Sequence, residues 1–425
     1  MQRVEIPVGQ QMQVLCTHRK LRVLLPQSSP GVSDIRAEIE RAVDAPIGTP
    51  PLRMLACGKR TAAIVVNDIT RPYPGRVMVE VIAQRLNEAG ITDDRICLVM
   101  AYGHHRDNTP QELTGMFGES IMRRFTIVHH HATDPQTLCT LGTTSMSIPV
   151  EINRRFAEAE LKITTGCITP HQLAGFSGGR KSILPGISGM NALKQHHSFP
   201  IRPDRTSLGW LEGNPFHEQA VEAARIAGVD FIVNSIDNAE HGVVHCVAGD
   251  MEKAYLHGVM LCRKVWTVEA PAKAKIVIVS PGGYPRDFDL HQSQKALGCA
   301  ETLCQEGGRI ILCAQMRDGG GRPGEVLKKA ESPDEIIEAF RQTGYTPQAL
   351  SKAYMLARAL KKYHISVACS QIAQDELRQM FMDGFDTVQQ ALDAAIAEQG
   401  ENADILVVPY ASDILPAISW QQRNG

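Results

Sequence analysis

Histidine, lysine and glycine crowd one stretch of this chain, Gly166 to His197, which reads GCITPHQLAGFSGGRKSILPGISGMNALKQHH. An imidazole can serve as acid or base near neutral pH, so His171 and the pair His196–His197 are candidates for proton transfer or metal ligation. Lys181 offers an amine, which acts as a nucleophile when uncharged and as an anion partner when charged. Gly166, Gly175, Gly178 and Gly179 imply backbone conformations or close approaches that a side chain would forbid. Gly175 to Ser182 nearly matches the phosphate-binding pattern G-x-x-x-x-G-K-[ST], with Arg180 standing where the second glycine belongs. Consecutive amides around Gly178 and Gly179 can still cradle an anion, but an ordinary P-loop ATPase fits poorly. A glycine-rich turn with a solvent-facing lysine is the plain alternative.

Other segments carry polar groups at expected strand ends. Asp68-Ile69-Thr70-Arg71-Pro72 sits where free amides and a guanidinium can bind phosphate or carboxylate, although Asp68 equally suits a helix N-cap. Gly103-His104-His105-Arg106 is a second such loop. His129-His130-His131 invites a metal reading, but consecutive residues of a strand point to alternate faces, so the three cannot share one ion. Gln292 and Lys295 are spaced to share a helix face, where an amide and an ammonium suit a small hydroxy acid. A solvated helix face explains the same pair.

These residues need rigid elements to hold them. Thr61 to Val66 is a continuous apolar run, the pattern of a strand buried on both faces of a parallel sheet, and it runs into Asp68–Pro72. Arg95–Met100 leads into the second loop, and Thr126–Val128, Leu161–Thr164 and Phe231–Asn234 read as further strands. A helix is expected from Ser33, as N-cap, to Asp44, and others from Arg76 and Thr109. A second strand–helix series starts after Ala270-Pro271-Ala272, with strands at Lys275–Ser280, Arg309–Cys313, Ile365–Ala368 and Asp404–Pro409. This alternation predicts two α/β domains, each a mostly parallel sheet flanked by helices. The expected boundaries are 1–269 and 270–408, with 409–425 able to fold back on the first domain.

With 425 residues, 43% apolar and 21% charged, the chain is long enough for two cores and ordinary in composition. A formal net charge of −2 gives no electrostatic case for nucleic acid or an anionic membrane. No membrane-length apolar run and no signal-peptide pattern occurs, so a cytoplasmic location is expected. The 11 cysteines include no C-x-x-C pair, which argues for reduced thiols rather than disulfides or a structural zinc.

Taken together, the segments resemble the nickel-dependent lactate racemase family of 2-hydroxy-acid racemases and epimerases. The resemblance rests on DITRP at Asp68–Pro72, GHHR at Gly103–Arg106, the central PHQLAGFSGGRKSILPGI with His197 after it, and GGYPRDFDLHQSQKAL at Gly282–Leu297. It implies a nickel-pincer nucleotide, pyridinium-3-thioamide-5-thiocarboxylic acid mononucleotide with Ni(II), attached covalently at Lys181. By motif position His197 would ligate nickel, with His196 as its less favoured neighbour. His105 and His171 would be the acid/base pair for hydride abstraction and return at C2. Arg71, Gln292 and Lys295 would bind the substrate, and Asp68, Thr70, Gly178 and Gly179 the cofactor's ribose and phosphate.

The resemblance also implies a small 2-hydroxy acid as substrate, cofactor-synthesis enzymes as partners, and an active site in the cleft between domains that closes over substrate. His291 stands where lactate-type members are expected to carry tyrosine, and Tyr102 and His104 should make the second loop bulkier and more polar. Those departures leave room for malate, a sugar acid or another larger acid. A P-loop-like phosphohydrolase and a non-catalytic cofactor-binding homologue are the competing functions. The sequence sets no oligomeric state.

Overall fold

The computed structural model describes residues 1–346 and 350–419. The chain divides into two units. One comprises Ser28–Pro203 and Gly209–Val265, and the other Met1–Gln27, Asp204–Leu208 and the chain from Trp266 onward.

In the first unit six strands run in the spatial order Val243–Gly249, Phe231–Asp237, Leu161–Cys167, Ala62–Asn67, Ile96–Ala101 and Thr126–His129. All neighbours are parallel except the first pair, which is antiparallel. The parallel pairing follows from the apolar runs: Ala63, Ile64, Val65 and Val66 are all fully buried, which requires cover on both faces. Met78, Val79, Ile82 and Leu86 of the helix Gly75–Glu88 supply part of that cover, together with Leu113, Phe117 and Ile121 of Pro110–Arg124. The latter helix opens with Thr109 as N-cap, its hydroxyl accepting from the Glu112 amide at 3.2 Å while the Glu112 carboxylate accepts from the Thr109 amide at 2.8 Å. The helix expected from Ser33 instead starts at Ile35. Asp34 caps it, its carboxylate accepting from Ala37 N at 3.0 Å. A charged oxygen so close to a helix N-terminus outcompetes the neighbouring hydroxyl.

The second unit holds a fully parallel sheet in the order Asp383–Phe385, His364–Ala368, Cys304–Cys313, Ala274–Val279, Ile405–Val408 and Leu21–Val23. The expected boundaries differ from this division at both ends. Residues 1–27, assigned by chain order to the first domain, belong to the second unit. Leu21–Val23 adds in parallel beside Ile405–Val408, and Ile6, Val8 and Leu15 pack in the same core as Ile276, Ile278 and Ile311. Within 409–425, Leu415–Ile418 pairs with Thr267–Ala270 of its own unit, and residues 420–425 lie outside the described set. Edge pairing across nearly the whole chain leaves no local signal. Among the described residues no helix is long and apolar enough to cross a membrane.

Two buried imidazoles of the first unit make its stability depend on pH. His130 donates from Nε2 to the Ser188 carbonyl at 3.0 Å, and its Nδ1 is buried without a hydrogen-bond partner among the described residues. A proton added there would be a buried donor with no acceptor. Burial pulls His130 down to about 4, and burial with the nearby Arg180 charge pulls His217 down to about 3. In the unfolded chain both take a proton near pH ~6.5. Between that value and their folded values the unfolded state binds more protons, so stability falls as pH falls. Urea melts at pH 7, 6 and 5 should show unfolding free energy dropping, for each such histidine, by about 0.7 kcal/mol from pH 7 to 6 and about 1.2 kcal/mol from pH 6 to 5. His130→Gln should reduce the slope, and an unchanged slope would refute this origin.

Candidate active site

The strand Leu161–Cys167 ends beneath residues 168–182, and hydrogen bonds specify that loop almost atom by atom. Pro170–His171 pairs antiparallel with Gly175–Phe176. The Ser177 hydroxyl donates to the Cys167 carbonyl at 2.7 Å and accepts from Thr169 N at 2.8 Å, stapling the hairpin to the strand end. Gly178 and Gly179 both have positive φ (76° and 52°), so the chain reverses where a side chain would be strained. A Cβ on Gly179 would also lie 2.8 Å from the Tyr255 ring.

Arg180, which breaks the P-loop pattern, turns inward and is fully buried. Its guanidinium lies 4.3 Å over the Tyr255 ring and donates to the carbonyls of Ala174 at 2.7 Å, Gly178 at 3.2 Å and Ser177 at 3.3 Å. A guanidinium's fixed fork suits three carbonyls of one turn. The loop is therefore gripped from inside by a charge, and its continuation, Gly179–Ser182, is one 3-10 turn rather than the first turn of a long helix. Sequence reasoning noticed Arg180 only as a mismatch.

It missed Asn234, whose fully buried side-chain oxygen accepts from Gly179 N at 3.0 Å. The signal was present: an amide interrupts the apolar run Phe231-Ile232-Val233, and a buried polar side chain needs a partner.

Lys181 projects from this turn, half-buried, with Nζ 2.9 Å from His171 Nε2. Burial, then the charges of Arg71 and Arg180, push its ammonium well below the usual lysine range. The opposite side of the His171 ring accepts two backbone amides, Leu173 N at 3.1 Å and Ala174 N at 3.2 Å.

His196 and His197 end the helix Met190–His196 and face different tasks. His196 is fully buried, donates to the Phe216 carbonyl at 2.8 Å, and has its ring 3.8 Å from that of Phe216. His197 donates from Nδ1 to the Leu193 carbonyl at 3.0 Å, so its lone pair sits on Nε2. Burial, then the charges of His196, Arg202 and Lys181, keep it neutral far below the usual histidine range. A neutral imidazole oriented through its other nitrogen is the form a metal requires.

On the neighbouring strand ends, Asp68 and His105 form a dyad, with Oδ2 and Nδ1 2.6 Å apart. The other carboxylate oxygen of Asp68 accepts from Thr70 N at 3.0 Å and from the Thr70 hydroxyl at 2.6 Å. Burial alone would raise the Asp68 carboxyl. Hydrogen bonds from His105 and Thr70 and the charges of His105 and Arg71 outweigh it, and the group sits below the usual carboxylate range. This arrangement turns Asp68 toward His105 and Thr70 toward Asp68. Arg71 is exposed and donates to Thr70 O at 3.0 Å. Tyr102 does not add bulk to the surface of its loop: it is buried in the core, its hydroxyl accepting from Asn108 N at 3.1 Å and paired with His129. His104 is exposed, its ring centre 5.3 Å from that of His105. His131, beyond the end of the strand Thr126–His129, bonds Asp107 at 2.9 Å.

Asp68, Thr70, Arg71, His105, His171, Gly178, Gly179, Lys181 and His197 thus all stand on the first unit. Gln292 and Lys295 stand on the second, at the joint between the short helix Leu290–Ser293 and Lys295–Leu303. There the Lys295 ammonium donates to the Gln292 side-chain oxygen.

Residues 9–209 match the family model described as the lactate racemase N-terminal domain, and residues 269–415 match that of the lactate racemase C-terminal domain. The chain is 33% identical to the lactate racemase of Thermoanaerobacterium thermosaccharolyticum over 382 residues, covering 89% of each protein. It is 34% identical to that of Lactiplantibacillus plantarum over 379 residues, 87% of this chain and 88% of the relative. The solved structure of the lactate racemase apoprotein from T. thermosaccharolyticum superposes with a TM-score of 0.88 at 31% identity, covering 98% of this chain and all of that one. A Thermotoga maritima protein of solved structure, 18% identical with a TM-score of 0.63 over 92% of this chain and 100% of that one, shares the fold.

Proposed function

The chain belongs to the lactate racemase family of isomerases, and from there we propose that it inverts C2 of a 2-hydroxy acid with a nickel-pincer nucleotide tethered to Lys181. The observation that carries this reading is the 2.9 Å contact of the Lys181 amine with His171 in a glycine turn, where burial and the charges of Arg71 and Arg180 favour the uncharged amine. An amine is an acyl acceptor only when uncharged. His197, neutral and presenting Nε2, suits Ni(II) with sulfur donors. Among the described residues no group of three or more His, Cys, Asp or Glu side chains gathers, so a metal here would draw its remaining ligands from a bound organic group. The donor set therefore fits the cofactor.

When bound, that group supplies the acceptor for the hydride at C2. Everything else falls to the chain. Asp68 accepts the Nδ1 proton of His105, leaving Nε2 as the site that takes the substrate's hydroxyl proton. His171 serves the opposite face, so a proton removed on one side is replaced on the other. Arg71, Lys295 and Gln292 hold the carboxylate and hydroxyl, the guanidinium by paired hydrogen bonds. His291 beside Gln292 makes a larger or more polar acid than lactate a substrate to test. Enzymes that make the cofactor are the implied partners, and protein produced without them is expected to be inactive.

The direct test is a panel of enantiopure 2-hydroxy acids incubated with cofactor-loaded protein and resolved by chiral chromatography. Racemisation of none of them would overturn the proposal. His197→Ala is expected to lose nickel by elemental analysis while its circular dichroism stays that of the parent. Nickel content equal to the parent's would remove His197 from the ligand set.

A further inference from the structure

The contact between His171 and Lys181 constrains which of the two nitrogens carries the proton. Nδ1 of His171 accepts from two backbone amides, Leu173 N and Ala174 N. A neutral imidazole whose Nδ1 is an acceptor has its proton on Nε2. That N–H points at Lys181 Nζ, 2.9 Å away. Only a lone pair can receive it, and an ammonium has none. The turn that supplies the two amides is itself fixed, because Arg180 holds the Ala174 carbonyl from the buried side.

We propose that His171 acts before any turnover, its Nε2–H holding Lys181 as an uncharged nucleophile for acylation, and that acylation then releases the imidazole for catalysis. The proposal rests on Lys181 as the tether. Its surroundings agree: the charges that bear on the amine, Arg71 and Arg180, are both positive.

The step needs an acyl donor, a carboxyl or thiocarboxyl carbon bearing a leaving oxygen or sulfur. The Nζ–C bond forms, the bond to the leaving atom breaks with its electron pair staying on that atom, and one amine proton passes to it. No oxidant or reductant is involved. The product is an amide or thioamide, whose nitrogen lone pair is delocalised and accepts no hydrogen bond. The Nε2–H of His171 then no longer has the Lys181 lone pair as its acceptor and can turn to a substrate oxygen. Loading and catalytic readiness are thereby one event.

The test uses cofactor-free protein, trace acetylation with acetic anhydride from pH 6 to pH 10, and peptide mass spectrometry, with exposed Lys20 and Lys59 as internal references. Lys181 of the parent should label at lower pH than the references. His171→Phe, which keeps a ring without the N–H, should move that profile to higher pH. A profile displaced by one pH unit corresponds to about tenfold less Lys181 labelling at neutral pH relative to the references. His171→Gln, with an amide donor, should recover part of the loss. Lys181 labelling in step with the references in the parent, or an unmoved profile in His171→Phe, would overturn the proposal.

A second arm needs no variant. Acetylating Lys181 in the parent should raise carbethoxylation of His171 by diethyl pyrocarbonate several-fold, and no change would refute release. If Lys181 labels as expected yet carries no cofactor in cells making it, the tether fails and the pairing stands. A cofactor adduct together with ordinary labelling has the reverse meaning.

Discussion

Lys181→Ala, produced alongside the cofactor-synthesis enzymes, is expected to keep its fold and lose both the mass of the adduct and racemisation. The loss should be on the order of a thousandfold or more in kcat, since removing a covalent attachment point removes the group on which the other residues act. The fold should survive because the turn is held elsewhere. Arg180 binds three carbonyls, Asn234 binds the Gly179 amide, and Ser182 donates to the Thr165 carbonyl at 3.3 Å. Intact-mass spectrometry reads the adduct and chiral chromatography the rate. An adduct that persists in Lys181→Ala, or parent-like activity without one, would place the tether elsewhere.

Asp68→Asn should be nearly as damaging although the residue need not touch substrate. As a carboxylate it can only accept, so His105 must donate from Nδ1 and present a lone pair on Nε2. An asparagine in its place can donate its amide N–H to Nδ1, which moves the ring proton to Nε2 and removes the base. Replacing an orienting aspartate in this way costs a comparable site about 10⁴ in kcat. The change should fall on kcat more than on KM. Parent-like kcat in Asp68→Asn would remove the dyad from the mechanism.

Much of the fold was legible because burial on both faces writes itself into composition. Ala62–Asn67, Ile96–Ala101 and Ala274–Val279 are runs of small and branched apolar residues, and each lies within a residue or two of its expected place. The hairpin Leu138–Thr143 with Pro149–Asn153 was not, since alternating polar and apolar residues over so few positions resemble a loop. In the site, residue type and order were visible, but hydrogen-bond direction was not. Asp68 looked like an anion beside other polar groups, and only the 2.6 Å contact assigns it to His105. Arg180 looked like a failed glycine, because nothing local says that a cation in a loop points inward to its own backbone. Residue type does not separate His196 from His197, and in the structure what separates them is which carbonyl each meets, Phe216 or Leu193.

The strand Leu21–Val23 has a consequence for synthesis. Its partner Ile405–Val408 is made only after the whole of the first unit, so Leu21–Val23 must wait for it while the intervening chain emerges. The unit that carries Lys181 and the histidines is in this sense an insertion within the other, and all its strands are available by residue 249. Domains generally form as soon as their own sequence is complete. That unit can therefore form first on a growing chain, and the other has to close a loop that contains it to gain the strand Leu21–Val23. Trimming residues 1–23 would thus spare the unit that carries Lys181 and the histidines and leave Ile405–Val408 as the edge of the later-formed sheet.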